Sequence, residues 1–382
     1  MARTSAEPLD DAWLALIDRL APRLLGPHDR RGQALADEVA RLSELYNERQ
    51  DLLRQVTAPA ARMRFFLPRD LPKIEGPLAE LAFAGALPKG PRWRVIDAGA
   101  GLGTTSLGVA RFAKRAGIEG VDVLALERDP AALDTMRTLC REASAQGLCA
   151  PIALREDRLD LEADLAAAGL PEADLVLMGL SLNELFFDRE RDERLERKRA
   201  LLGALGSRLS EGGALVVIEP AYRGVARELM RLRDRIAPLH VFAPCIRNDN
   251  CPLLLRERDW CHDQLPFDLP AALARLAEAA GLRAHRLTYA YLTLRRVPGA
   301  IVGVDPRVAR VVGGPVVEKA RTEWMLCGAH AARVMQLDRE RSDANAPMQG
   351  AARGSLVRFD REIEEQGRLR LRPDVRVERL FR

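Results

Sequence analysis

Residues 94–105 read Arg-Val-Ile-Asp-Ala-Gly-Ala-Gly-Leu-Gly-Thr-Thr, a short apolar strand that runs straight into three glycines at alternating positions. Gly99, Gly101 and Gly103 remove side chains just where a strand turns into a helix, so a ligand can reach the main chain and the helix N-terminus. Few folds accept such a junction: it belongs in a parallel sheet, with a cradle at the strand's carboxyl end. The spacing is not that of the dinucleotide fingerprint, and a glycine turn can be purely structural. Two acids narrow the reading. Asp97 stands just before the first glycine, and a second strand, 121–127, ends in Glu127, where a carboxylate can accept hydrogen bonds from both ribose hydroxyls.

These residues resemble the S-adenosylmethionine (SAM) site of class I methyltransferases, whose pattern is Asp-x-Gly-x-Gly-x-Gly followed by that acid. The resemblance implies SAM bound by Asp97, Gly99, Gly101, Gly103 and Glu127; a dinucleotide is the competing ligand. A third strand at 151–154 ends at Glu156-Asp157, and in the resembling family an acid here meets the adenine amino group, which makes Asp157 a candidate. A fourth strand, 173–178, delivers Gly-Leu-Ser-Leu-Asn-Glu at 179–184. Ligands sit outside the carboxyl ends of such strands, so Ser181, Asn183 and Glu184 are expected to line the site. Neither Asn-Pro-Pro-Tyr nor Asp-Pro-Pro-Tyr occurs there, so the sequence names no catalytic base.

The alternation of strands and helices predicts an α/β chain built on a class I methyltransferase-type doubly wound sheet. Before it, residues 1–90 read as a helical region, with helices at 10–21, 31–56 and 76–86. The sheet domain spans 91–297. Its first helix covers 104–116 with Thr104 or Thr105 as N-cap, and its second starts at Pro130. A fifth strand at 212–219, helices at 222–239 and 269–280, and one or two strands within 283–296 complete it. Residues 298–382 form a small β-rich appendage with strands near 308–317, 367–373 and 375–377; the polar stretch 338–353 reads as mobile.

Apolar and charged fractions of 47% and 30% over 382 residues are those of a soluble globular protein. No apolar run approaches the ~18 residues of a membrane span. The first residues lack the apolar core of a signal peptide, so a cytoplasmic location is expected. The net charge of +4 is too small to argue for nucleic acid, and only five of the 59 basic residues are lysine. Residues 307–382 hold 16 basic against 11 acidic residues, which makes the tail either an RNA-facing surface or a solvated one.

Cys245, Cys251 and Cys261 fall in a polar loop at 241–265, and Cys327 follows in the tail. Disulfides are disfavoured in a cytoplasmic chain, so metal or cluster ligation is expected. Four thiolates suit tetrahedral zinc or an iron–sulfur cluster. The gaps of five, nine and 65 residues are wider than those of zinc ribbons, which favours a cluster; zinc held by all four, or with His262 replacing one, stays open, as does a loop without metal. Cys140 and Cys149 read as ordinary buried thiols.

Cys-x5-Cys-Pro, Asp-Trp-Cys-His and a distant cysteine in a SAM-type sheet resemble the mitochondrial small-ribosomal-subunit methyltransferase-like assembly factors and their bacterial relatives. The similarity covers residues 94–327, including Leu-Asn-Glu-Leu at 182–185 and Tyr-Leu-Thr-Leu-Arg-Arg at 291–296. It implies a [4Fe-4S] cluster on Cys245, Cys251, Cys261 and Cys327, and action on the small ribosomal subunit through rRNA methylation or assembly; separately, a monomer off the ribosome is expected. The Cys-x3-Cys-x2-Cys of radical SAM enzymes is absent, so the cluster would be structural or sensory. Two other readings stand beside it: a non-catalytic RNA-binding assembly factor, and a zinc-containing methyltransferase for small molecules.

Overall fold

The computed structural model describes residue 7 and residues 9–48, 57–163, 169–247, 249–283, 285–303, 305–328, 331–362 and 368–382. Two amphipathic helices open it, α1 (Asp11–Leu25) and α2 (Gly32–Glu48). The Asp10 side chain caps α1 by accepting from the Trp13 amide at 3.2 Å, and Trp13, Leu16, Ile17 and Leu20 form its buried face. The remainder of the helix expected to reach residue 56 lies outside the described residues. A nearly continuous helical stretch follows: α3 (Pro59–Ala61), a π turn (Arg62–Phe66), α4 (Leu67–Asp70), a 3-10 turn (Leu71–Ile74) and α5 (Glu75–Phe83).

Five parallel strands follow. They are β1 (Arg92–Ala98), β2 (Gly120–Glu127), β3 (Ile152–Arg158), β4 (Ala173–Gly179) and β5 (Leu209–Pro220), with α6 (Thr104–Arg115), α7 (Pro130–Ala145) and α8 (Arg191–Gly206) between them. Among the described residues every connection holds a helix except that from β3 to β4. After α9 (Arg223–Asp234) come two short strands, β6 (His240–Ala243) and β7 (Asp263–Pro266). Helix α10 (Ala271–Ala279) then leads into β8 (Arg286–Arg295), a single strand. The order is β3-β2-β1-β4-β5-β8-β6, with β7 also on β8, and β8 runs antiparallel to its neighbours. The doubly wound sheet with an antiparallel edge is thus as expected. Its direction of winding reverses between β1 and β4, the switch point where such sheets open a crevice.

Alternation along β1 shows how the sheet is covered. Trp93 and Val95 join the core beneath α6 and α7, which also takes in α1 and α2, whereas Ile96 and Ala98 face α8 and α9. The N-terminal helices therefore share one apolar core with the sheet.

The C-terminal part is β-rich, as expected. It forms a six-stranded sheet, β13-β11-β10-β9-β12-β14, from β9 (Val308–Glu318), β10 (Arg321–Cys327), β11 (Ala331–Leu337), β12 (Leu356–Phe359), β13 (Arg368–Arg370) and β14 (Val377–Phe381). Gly367, where one strand was expected to begin, lies outside the described residues. The stretch 338–353, expected to be mobile, is organised around the fully buried Asn345, whose amide donates to the Glu340 and Arg372 carbonyls at 2.9 and 3.1 Å. A single buried amide with every bond made outweighs the polar composition.

Candidate functional site

A cavity of about 1230 Å3 opens at the switch point. Gly99, Gly101 and Glu127 line one side, Ser181 and Glu184 the end of β4, and Tyr46, Arg62, Phe66 and Lys73 the opposite wall. That wall, from α2 and residues 57–73, escaped the sequence reading, because helical periodicity identifies a buried face without saying what the ends of the helices reach.

All three glycines have positive φ, at 74°, 53° and 80°, but their surroundings differ. A β-carbon on Gly99 would meet the Ser181 side chain at 2.7 Å, and one on Gly103 would meet Met136 at 2.6 Å. On Gly101 it would meet nothing within 4 Å. Gly99 and Gly103 are therefore glycines for packing, and Gly101 is the open floor of the cradle. Gly103 is also the N-cap of α6, in the left-handed conformation and without a side-chain bond, in place of the expected Thr104 or Thr105.

Glu127 lies at the turn as expected. Its carboxylate accepts from the Gly101 and Asp129 amides, at 2.9 and 3.0 Å, which orients it over the glycines. Asp97 does not line the cavity. It is buried behind the turn, accepts from the Ser106 hydroxyl at 2.6 Å, and so ties β1 to the first turn of α6; burial pushes its carboxyl up to about 6. Ser181 lines the cavity and donates to the Ala98 carbonyl at 3.2 Å.

Two candidates are not brought to the cavity. Strand β3 runs on to Arg158, so Asp157 sits exposed on the edge strand, and the acid that lines the cavity is Asp160. Asn183 is buried with both polar atoms of its amide unpartnered, and it too lies outside the lining. Its loop is held from below by Glu219 at the end of β5, which accepts from the Leu182 and Asn183 amides at 2.9 and 3.2 Å. Burial pushes this carboxyl up to about 8. Leu180 and Phe186 in that loop take left-handed φ of 60° and 56°, backbone strain that the Glu219 anchor sustains. Glu219 ends an apolar strand, and only the tertiary contact reveals its role.

The four loop and tail cysteines converge. Cys245, Cys251, Cys261 and Cys327 line one small cavity of about 50 Å3 with His262 and Arg233. Cys140 and Cys149 are separately buried, as expected. Burial, with the neighbouring thiols adding to it, pushes Cys251 up to about 11 and Cys327 up to about 12. Burial holds His262 down at about 4, so its ring is neutral, and it stacks on Trp260 with centroids 5.6 Å apart. Arg233, Arg247 and Arg353 each lie within electrostatic reach of one of the cysteines.

Helix α9 holds this polar loop. Arg233 donates to the Arg247 and Asp249 carbonyls, Arg227 to those of Arg256 and Asp259, and Asp234 accepts from the Cys251 amide at 3.0 Å. A polar loop with little regular structure needs such anchors, and α9 supplies them. Among the described residues no group of three or more His, Cys, Asp or Glu side chains is arranged to hold a metal ion. The donor chemistry fits a thiophilic group, while the arrangement is not closed around a single ion.

A family model described as mitochondrial small ribosomal subunit Rsm22 matches residues 82–341, about two thirds of the chain. The chain belongs to this family. The match takes in both cavities' sheet-domain residues and all four converging cysteines. No curated protein matches this Rsm22-family chain. Among solved structures it is similar to TrmN from Thermus thermophilus, with 18% identity, 58% of this chain and 48% of that one covered, and a TM-score of 0.34. It is also similar to a putative class I SAM-dependent methyltransferase from Listeria monocytogenes, with 12% identity, 76% and 89% covered, and a TM-score of 0.38. The chain thus spans about half the length of TrmN.

Proposed function

We propose that this Rsm22-family protein binds SAM in the large cavity and acts on the RNA of the small ribosomal subunit. The observation that carries the cofactor is the unobstructed Gly101 beneath Glu127 at the sheet's switch point. Glu127 would hold the ribose hydroxyls, Asp160 the adenine edge, and the open main chain at Gly101 the body of the cofactor. Asp97 and Gly103 act one step back, shaping the turn. SAM, when bound, supplies an activated methyl group. A cavity of about 1230 Å3 exceeds the ~300–1,000 Å3 of single-ligand pockets, which leaves room for an acceptor. The ribosomal partner comes from the family description.

The reading includes a [4Fe-4S] cluster on Cys245, Cys251, Cys261 and Cys327. A cluster spreads its thiolates over separate irons and needs them farther apart than one tetrahedral ion does. Four free thiols on one cavity, with three arginines near enough to offset an anionic centre, support it. It would join the loop to β10.

The test is label transfer from SAM to small-subunit RNA, with metal and sulfide analysis of anaerobically purified protein. Labelled RNA and about four irons with matching sulfide are expected. SAM binding without transfer to any assembly intermediate would leave a non-catalytic assembly factor. One zinc in colourless protein would replace the cluster and turn attention to small-molecule acceptors.

A further inference from the structure

The wall opposite the glycine turn contains the π turn Arg62–Phe66, which presents Arg62, Met63 and Phe66 to the cavity. A π turn shifts successive side chains around a helix, and such turns recur at functional sites. Arg62 stands out among the cations of this cavity. Lys73 and Arg69 are paired with Asp70, at 2.9 and 3.5 Å, and Arg128 and Arg223 stand exposed at the rim. Arg62 is mostly buried, its Nε has no acceptor, and no carboxylate among the described residues is within ion-pair distance of it. A buried guanidinium left without an acceptor is costly, and a ligand oxyanion removes that cost.

The acids of the cavity indicate which oxyanion. Glu127, Asp129 and Glu184 line the same space and act on the Arg62 charge from a distance. A phosphate entering there would meet three carboxylates with nothing of its own to offer them. A group carrying a carboxylate and an ammonium together would satisfy both walls. We propose that Arg62 receives the carboxylate at the amino-acid end of SAM, the ammonium facing Asp129 just beyond β2 and Glu184 beyond β4, with Glu127 left to the ribose. This rests on the cofactor reading above and adds the N-terminal helices to the cofactor site.

The test is calorimetric binding of S-adenosylhomocysteine and of 5′-methylthioadenosine, which lacks the amino-acid end, to the full-length wild type, Arg62→Gln and Arg62→Lys. Arg62→Gln should weaken S-adenosylhomocysteine by about 10- to 100-fold, as expected for a lost charge-assisted pair. It should leave methylthioadenosine unchanged, which also reports that the variant is folded, and Arg62→Lys should recover part of the loss. Equal losses for both ligands, or none for either, would overturn the assignment. Unchanged S-adenosylhomocysteine with weakened binding of small-subunit RNA would overturn it too, and would make the anion an acceptor phosphate. If the wild type binds neither nucleoside, the cofactor reading itself fails and this proposal with it.

Discussion

Trp260 and Cys261 are neighbours in the chain and face different cavities: Trp260 lines the large one at the switch point, and Cys261 the small one with the other three cysteines. The Trp260 indole donates to the Ala221 carbonyl at 3.1 Å, just beyond β5, so the cysteine loop forms part of the wall of the ligand cavity. Trp260→Phe, which keeps the ring and removes the donor, should cost about 1 kcal/mol of stability, and Trp260→Ala more, since it also opens a void. Both should weaken S-adenosylhomocysteine binding, with Trp260→Ala the worse, as measured by calorimetry beside a urea titration.

Glu80 on α5 and Arg310 on β9 form an ion pair at 2.6 Å with side chains 0% and 4% exposed. It joins the N-terminal helices to the C-terminal sheet, and Arg382 adds a second contact to Glu80 at 3.4 Å. Arg310→Met leaves a buried carboxylate short of its main partner and should destabilise the fold by about 3–5 kcal/mol in denaturant titrations. Replacing the pair together, with Glu80→Leu added, should restore part of that loss. If the double variant is no better than the single one, the damage lies in packing instead of in the uncompensated charge.

Asp97 gives a pH dependence with a definite sign. Its carboxyl is raised from an ordinary 3.8 to about 6 by burial, so the folded chain holds this proton more tightly than the unfolded chain. The stabilising contribution is complete below pH 3.8, declines as pH rises, and is gone above about 6; at 1.36 kcal/mol per pKa unit it totals about 3 kcal/mol. Asp97→Asn keeps an oxygen for the Ser106 hydroxyl and removes the titration. The stability difference between wild type and variant should change across pH 4 to 6 and be flat above 7, and a flat difference throughout would refute the shift.

Gly101 and Gly103 should separate binding from stability. Gly101→Ala adds a methyl that meets no atom within 4 Å, so its stability cost is that of a left-handed alanine, about 1–2 kcal/mol, while the cradle narrows and S-adenosylhomocysteine affinity falls. Gly103→Ala has the same backbone penalty plus a 2.6 Å approach to Met136, so it should lose more stability for the same change of residue. Thermal denaturation and calorimetry on the two variants read both effects.

Local patterns carried much of this molecule. The glycine turn at Gly99, Gly101 and Gly103, the acid at Glu127 and the alternation of strands are short-range features, because strand-to-helix turn chemistry and side-chain periodicity are set within a few residues. They determined the doubly wound sheet and its cradle, and four cysteines too widely spaced for a zinc ribbon pointed to a shared site. Tertiary structure decided the rest. The wall bearing Arg62, Glu219 beneath the 180–186 loop, the three-residue shift from Asp157 to Asp160, and the union of Glu80 with Arg310 across 230 residues of chain all depend on which element ends come together. Chain periodicity cannot carry that information: it says which face of an element is buried, while the partner met there is fixed by packing between elements far apart in sequence.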